Sequence, residues 1–193
     1  MAVPKEIKKY LDKKGAKYAI VTHRKVYTAY DAANTLRRKL NEIAKNLLIK
    51  TDKGYVVVLL PASKRLDLGA LKKLMNAKGM GIKKIEIPNE GVMVRLLKIK
   101  PGALPAFGTY HDLQVYMDKE LRKVKKAIFP TGSFTDSVEM AVKEFERLEQ
   151  PVIGAFSEAK KFVKPMQKKV KKIVKKAVKK TKKAIKKAKK RRK

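Results

Sequence analysis

Two apolar segments joined by a short polar turn, within residues 42–60, constrain the fold more than any other part of the sequence. Residues 51–54, T-D-K-G, have the polar, glycine-ended composition of a tight turn. The segments on either side are apolar and partly β-branched, which is typical of strands. The pattern therefore predicts a β-hairpin. Because side chains alternate along a strand, Lys45 is expected on the same face as Leu47 and Ile49, as a cation at the edge of an apolar surface.

Helices and strands are interspersed along the rest of the sequence. Apolar periodicity and turn residues predict helices at 4–14, 28–40, 68–78 and 140–148, and strands at 17–22, 82–87, 113–117, 125–129 and 137–139. Residues 89–100 fit either a helix or a strand. The order lacks the regular strand-helix repeat of a doubly wound sheet. We therefore expect an α/β fold of the mixed, α+β-like kind, with a mixed sheet or partly closed barrel and surrounding helices.

Positive charge is concentrated at the C-terminal end of the chain. The net charge is +34, all 17 acidic residues lie at or before Glu158, and 20 of the 51 lysines and arginines lie from Lys160 onward. Apolar residues recur in that segment at three- and four-residue intervals, which predicts a helix once the charge is neutralised and disorder otherwise. We divide the chain into a domain of residues 1–156 and a lysine-rich tail of residues 157–193.

The charge indicates a polyanionic partner, because the part of the chain before Lys160 is also basic, with 31 basic and 17 acidic residues. Nucleic acid is favoured over an anionic membrane surface, since Phe162 is the only aromatic residue on the tail's apolar face. A solvated, solubility-enhancing tail is the alternative. The lysines expected to contact nucleic acid are Lys168, Lys169, Lys171, Lys172, Lys175, Lys176, Lys179, Lys180, Lys182 and Lys183.

Several classes of protein are excluded or disfavoured by what the sequence lacks. There is no cysteine, so disulfides, thiolate metal sites and a cysteine nucleophile are excluded. Neither an apolar run long enough to span a bilayer nor a signal-peptide core is present, so we expect a cytoplasmic protein without integral membrane association. No glycine-rich phosphate motif indicates a nucleotide cofactor, and the two histidines, His23 and His111, predict no metal site. Ser63 and Ser133 lack the setting of a hydrolase nucleophile.

Two features remain as candidates for site chemistry. Lys45 is either a surface lysine whose stem covers apolar neighbours, or a partly desolvated cation beside a carbonyl or phosphate group. Residues 101–108, P-G-A-L-P-A-F-G, are either an ordinary turn or a shaped loop whose backbone N–H groups come close to a ligand. His23 follows a predicted strand, where it can line a cleft.

Several motifs, taken in order, resemble the YbaK/prolyl-tRNA editing-domain family over residues 4 to about 150. They are K-Y-A-I-V-T-H (17–23), Y-T-A-Y-D-A-A (27–33), A-K-N-L-L-I-K (44–50), V-V-V-L-L-P (56–61), R-L-D-L-G-A-L (65–71), P-G-A-L-P-A-F-G (101–108) and P-T-G-S (130–133). The third motif is similar to the family's A-K-T-L, with its lysine at Lys45. The tail lies outside the resemblance.

The resemblance implies a trans-acting enzyme that hydrolyses the ester between a wrong, small amino acid and tRNA, of the proline-tRNA type, without metal, cofactor or covalent intermediate. Lys45 would hold the aminoacyl carbonyl or the terminal phosphate region, and a water, helped by a ribose hydroxyl of the tRNA, would attack. Backbone groups of Gly102 and Ala103 would orient the terminal adenosine. The substrate-binding residues expected on this basis are His23, Tyr27, Gly102, Ala103, Leu104, Pro105, Gly132 and Ser133.

The sequence departs from the family's pattern at three places. Lys98-Ile99 stands where Gly-Tyr is usual, Ala106 stands where a proline is common, and Asn46 follows the lysine where threonine is common. These changes leave the shape of the amino-acid pocket open. The alternative function is therefore a non-catalytic RNA- or DNA-binding protein built on the editing fold. On either interpretation, tRNA, ribosomal RNA or DNA is the expected partner of the tail.

Overall fold

The computed structural model describes residues 3–100 and 102–160. The helices in this part of the chain are α1 (Lys5–Lys13), α2 (Ala29–Leu36), α3 (Leu68–Ala77), α4 (Glu90–Leu97) and α5 (Val142–Glu149). Its strands are β1 (Tyr18–Thr22), β2 (Ala44–Thr51), β3 (Gly54–Pro61), β4 (Lys64–Leu66), β5 (Ile85–Glu86), β6 (Gln114–Asp118), β7 (Lys126–Pro130), β8 (Asp136–Ala141), β9 (Val152–Gly154) and β10 (Ser157–Ala159). Short 3₁₀ helices precede and follow β6, at Gly108–His111 and Lys119–Lys123.

The central element is an open five-stranded mixed sheet with the order β5-β2-β3-β6-β9. The pairs β3-β6 and β6-β9 are parallel, whereas β2 pairs antiparallel with both β3 and β5. A second, antiparallel sheet has the order β1-β8-β7, and β10 pairs with β4 in a third. A bridge between Ile43 and Ile128 joins the start of β2 to β7, so the two larger sheets meet there. The expected α/β fold with a mixed sheet is confirmed.

The predicted hairpin is the pair β2-β3. The turn is closed by Thr51, whose hydroxyl donates to the Gly54 carbonyl at 3.0 Å and accepts from the Lys53 N–H at 3.1 Å. Gly54 has a φ of 120°, a conformation that a side chain would disfavour. Along β3 the side chains of Val57 and Leu59 enter one core cluster and those of Val56 and Val58 enter another. Both faces of β3 are therefore buried, which explains its continuous apolar run.

Three apolar clusters hold the helices onto the sheets. Helices α1 and α5 pack into the largest through Ile7, Leu11 and Phe145, and the Phe145 ring stacks on Phe129 at 4.3 Å between centroids. Helix α3 packs into the second cluster. A third cluster of aliphatic side chains lies under α2 and consists of Val26, Ala32, Ala33, Ile43, Ala62 and Ile128. This third cluster positions the candidate site.

Some element boundaries differ from the prediction. Helix α2 begins at the expected cap, because the Thr28 hydroxyl accepts from the Asp31 N–H at 3.1 Å. It ends at Leu36 rather than at residue 40, because Arg37 adopts a left-handed φ of 52°. Residues 89–100 contain the helix α4, which settles the ambiguity there.

The C-terminal part of the fold extends beyond the expected boundary at residue 156. Strand β10 pairs with β4 in antiparallel register, so residues 157–159 belong to the folded unit that ends at Lys160. The lysines predicted to bind nucleic acid, from Lys168 to Lys183, lie outside the described residues. In the part of the chain that the structure describes, no helix is both long and apolar enough to cross a bilayer.

Candidate functional site

A cleft of about 390 Å³ opens where the two larger sheets meet. Its floor is the third apolar cluster, and its rim is formed by α2, the start of β2 and the loop after β7. Among the described residues, none of those that line the cleft is an aspartate or glutamate. The lining residues that carry polar or aromatic groups are His23, Tyr27, Thr28, Tyr30, Lys45, Asn46, Ser133, Phe134, Ser137 and Lys160.

Lys45 is half-buried in this cleft, near the start of β2. Within residues 3–100 and 102–160 its ammonium has no hydrogen-bond or ion-pair partner. Burial lowers the pKa of Lys45 from its usual value of 10.5, and the positive charge of Lys160 lowers it further. An unpaired, partly desolvated ammonium is a strong electrostatic partner for negative charge that develops on a bound group. The geometry therefore fits the second of the two interpretations that the sequence left open for Lys45.

Lys160 is the second cation of the cleft, and sequence reasoning assigned it only to the start of the tail. Its Nζ donates a hydrogen bond to the Ala62 carbonyl, and its side chain is part of the cleft lining. The residue follows β10 directly, so the pairing of β10 with β4 brings it to the cleft. No local pattern in the sequence signals this position, because a three-residue strand carries almost no periodicity.

His23 lies in the cleft wall with 8% of its surface exposed. Its Nδ1 is 2.9 Å from the Arg24 carbonyl oxygen and its Nε2 is 3.1 Å from the Ser137 hydroxyl. A carbonyl only accepts, so Nδ1 carries the hydrogen, and in the neutral ring Nε2 accepts from the Ser137 hydroxyl. Both ring nitrogens are therefore occupied, which suits a role in shaping the wall.

The loop between β7 and β8 is organised by Asp136, a residue that the sequence analysis did not single out. This carboxylate is 2% exposed and accepts hydrogen bonds from the hydroxyls of Thr22, Ser133 and Thr135 at 2.9, 3.2 and 2.6 Å. Burial alone would raise the pKa of Asp136, but these hydrogen bonds outweigh it, and the pKa lies below its ordinary value. A carboxylate with a lowered pKa is a poor general base, so Asp136 is not suited to activate the Ser133 hydroxyl as a nucleophile. The hydrogen bond between the two residues serves to hold the loop.

The glycine- and proline-bearing loop lies beside the cleft and contributes Gly102 to its lining. The Ala103 N–H is already used, because it donates to the Lys100 carbonyl at 3.0 Å. The Leu104 carbonyl accepts from the Asn46 side chain, which anchors the loop to β2. Asn46, which the sequence analysis noted only as a departure from the family's pattern, is therefore a residue that positions this loop.

The other predicted substrate-binding residues take two different places. Tyr27 and Ser133 line the cleft together with Lys45, His23 and Gly102. Ala103, Leu104 and Pro105 are buried and are not among the described residues that line the cleft. Gly132 supports them, since a Cβ on this residue would lie 3.3 Å from the Ala103 carbonyl oxygen, and its φ is 89°. The structure therefore brings five of the nine predicted site residues into one cleft.

Exposed aromatic rings surround the mouth of the cleft. Tyr27 and Tyr30 are 61% and 58% exposed. The Tyr27 ring lies 5.3 Å from the Phe134 ring, and the Lys25 ammonium lies 5.2 Å from the Tyr27 centroid. Exposed aromatic side chains next to cations are the usual platforms on which unpaired bases stack.

An apolar floor, two ammonium groups and exposed aromatic rings define a class of site. Such a site suits an anionic, base-bearing ligand with an apolar part. Within the described residues, no group of three or more histidine, aspartate or glutamate side chains is placed to hold a metal ion. Residues 23–148 match the aminoacyl-tRNA editing domain, and the chain belongs to this family.

Two curated proteins are similar in sequence. The chain is 30% identical over 104 residues to the proline–tRNA ligase of Staphylococcus saprophyticus, a match that covers 53% of the chain but only 17% of the ligase. It is 26% identical over 117 residues to the prolyl-tRNA editing protein ProX of Acetoanaerobium sticklandii, covering 58% of the chain and 68% of ProX.

Solved structures share the fold at low sequence identity. The hypothetical protein APE2540 superposes with a TM-score of 0.71 at 20% identity, covering 80% of this chain and all of the other. A structure described as a candidate trans-editing enzyme for prolyl-tRNA synthetase gives a TM-score of 0.70 at 20% identity, covering 80% of this chain and 96% of the other. At this identity the likeness concerns the fold.

Proposed function

We propose that the protein is a trans-acting aminoacyl-tRNA deacylase that hydrolyses the ester of mischarged tRNA. Membership of the editing-domain family supports the reaction class. The observation that carries the proposal is the half-buried Lys45 ammonium, which faces a carboxylate-free cleft and has no partner among the described residues.

The reaction needs a group that stabilises the negative charge of the tetrahedral intermediate. Water attacks the carbonyl carbon of the aminoacyl ester, the bond between that carbon and the ribose oxygen breaks, and the proton passes to the ribose oxygen. Lys45 donates to the carbonyl oxygen as its charge develops. The His23 ring is held by Arg24 and Ser137. As the family resemblance implies, a neighbouring ribose hydroxyl of the tRNA assists the water.

The cleft favours an uncharged amino acid, and the family resemblance implies that it is small. Its floor consists of aliphatic side chains from the third apolar cluster, which suit an uncharged acyl group. No carboxylate in the lining is available to pair with a cationic side chain. Alanine, serine and cysteine are the amino acids that the family resemblance implies, and a proline-type tRNA is in keeping with the names of the relatives in sequence.

Single-turnover hydrolysis of a panel of aminoacyl-tRNAs tests this proposal. We expect rapid release of a small amino acid from one mischarged tRNA by the unmodified protein, and loss of that release in Lys45→Ala. The exposed aromatic rings favour a second candidate function, that of a non-catalytic RNA- or DNA-binding protein. No release from any member of the panel, with tight and salt-dependent RNA binding, would favour this second function.

We also propose that the lysine-rich tail tethers the protein to tRNA, ribosomal RNA or DNA. Twenty of the 51 basic residues lie from Lys160 onward, and neutralising phosphates raises affinity without sequence preference. Because β10 belongs to the fold, the informative truncation ends the chain at Lys160 and removes residues 161–193. It should weaken RNA binding and flatten its salt dependence while hydrolysis at saturating substrate survives. A collapse of kcat would contradict the tether.

A further inference from the structure

Lys160 is fixed at the cleft by the strand that precedes it. Strand β10 pairs with β4 from Ser157 to Ala159, and just before it the Phe156 side chain is fully buried. The Phe156 N–H donates to a carboxylate oxygen of Asp118 at 2.8 Å, and its carbonyl accepts from the Asp67 N–H at 2.8 Å. The backbone that leads into Lys160 is thus held at several points, so this side chain has a defined place in the cleft.

Two ammonium groups face the same carboxylate-free cleft. Like charges in one partly buried space repel each other, and the effect shows in the lowered pKa of Lys45, to which Lys160 contributes after burial. A bound anion removes this repulsion. The Lys160 ammonium has three donors and, among the described residues, uses one of them on the Ala62 carbonyl, so two can serve a ligand.

We propose that Lys160 is a substrate-binding residue which holds the 5′-phosphate of the terminal nucleotide of the tRNA, while Lys45 faces the ester carbonyl. The inference rests on the proposed function and deepens it by assigning a phosphate subsite beside the ester. The family match ends at residue 148, so Lys160 lies outside the region shared with the editing domain. The subsite couples recognition of the nucleotide backbone to the cleft that holds the acyl group.

A comparison of two simple ligands tests the subsite without any hydrolysis. AMP carries the 5′-phosphate and adenosine lacks it, so the ratio of their dissociation constants isolates the contribution of the phosphate. The full chain is titrated with both ligands as unmodified protein, Lys160→Gln, Lys160→Arg and Lys73→Gln. Lys73 is an exposed lysine of α3 that makes no hydrogen bond or ion pair with the described residues and lies outside the cleft lining. The tail is present in every variant, so its attraction for phosphate cancels in the comparison.

We expect AMP to bind more tightly than adenosine, and Lys160→Gln to reduce this advantage about 10- to 100-fold, as for the loss of one charged hydrogen bond. Lys160→Arg should keep most of the advantage and Lys73→Gln all of it. An equal advantage in Lys160→Gln and the unmodified protein, or no advantage in either, would overturn the subsite. Melting temperatures of the variants check that the fold is intact.

The test of the phosphate subsite and the test of the deacylase proposal can fail independently of each other. If the phosphate advantage depends on Lys160 but no aminoacyl-tRNA is hydrolysed, the subsite stands and the deacylase proposal fails. If hydrolysis occurs and depends on Lys45 while AMP and adenosine bind equally, the deacylase proposal stands and the subsite fails.

Discussion

Replacing Asp136 with asparagine should destabilise the protein strongly, because this carboxylate holds two parts of the cleft wall. It accepts from Thr22 on β1 and from Ser133 and Thr135 in the loop after β7. Asparagine keeps one acceptor oxygen and places an amide N–H₂ where at least one hydroxyl now donates. The substitution therefore removes the charge from all three hydrogen bonds and mispairs at least one of them.

The size of the effect follows from these contacts. A hydrogen bond to a charged group contributes about 1.5–3 kcal/mol, so the loss of charge and one mispaired donor should cost roughly 3 kcal/mol. In a domain of this size that corresponds to a melting temperature about 6–12 °C lower. Ser133→Ala removes only one of the three donors, so it should cost roughly 1–2 kcal/mol and serves as the matched control.

Thermal unfolding at neutral and acidic pH is the assay. The folded-state pKa of Asp136 is lowered, so its contribution is present above the ordinary value of 3.8 and is lost as the pH falls through the lowered pKa. The difference in melting temperature between the unmodified protein and Asp136→Asn should therefore be largest near neutral pH and shrink in acid. A variant that melts within about 2 °C of the unmodified protein at neutral pH would refute the reasoning.

Three further predictions concern single side chains around the cleft and the core. Burial raises the pKa of the Glu149 carboxyl above its ordinary value of 4.5, so its contribution to stability is present below 4.5 and is lost as the pH rises through the raised pKa. The melting temperature of the unmodified protein should therefore fall between about pH 4 and pH 7, and it should fall less in Glu149→Gln. Asn46→Ala removes the donor to the Leu104 carbonyl, so stability should fall by about 1 kcal/mol in chemical denaturation and kcat/KM for deacylation by roughly tenfold. Lys160→Gln removes a like charge, so the pKa of Lys45 should rise, as read from the pH at which an amine-reactive reagent modifies it.

Each of these predictions has a result that contradicts it. Equal pH dependence of melting in Glu149→Gln and the unmodified protein would show that this carboxylate does not set the slope. Unchanged deacylation in Asn46→Ala would mean that the loop does not need its anchor. A Lys45 modification profile that is the same with and without Lys160 would mean that the two ammonium groups do not interact.

Local features of the sequence predicted much of the fold. The hairpin of residues 42–60 could be located because its turn residues and apolar runs are contiguous. The start of α2 could be located because Thr28 has the chemistry of a helix cap. The parallel pairing of β3 with β6 could not be predicted, because it joins segments that are far apart along the chain and no local pattern specifies it.

The same difference between local and long-range features decides which residues of the candidate site could be predicted. Lys45 could be singled out because a lysine at the edge of an apolar strand is conspicuous, and the family resemblance pointed to it as well. Asp136 and Lys160 could not be singled out by pattern. The role of Asp136 depends on three hydroxyls from two segments, and the place of Lys160 depends on the pairing of two three-residue strands.

The most direct test of the central claim is the single-turnover rate of the best mischarged tRNA with Lys45→Ala, at saturating enzyme, beside Lys73→Ala. Loss of one donor to a developing oxyanion lowers the rate about 100- to 1000-fold. We therefore predict a fall of that size in Lys45→Ala, with little change in tRNA affinity and no change in Lys73→Ala. Hydrolysis by Lys45→Ala at the unmodified rate would contradict the assignment of Lys45 as the group that stabilises the reaction.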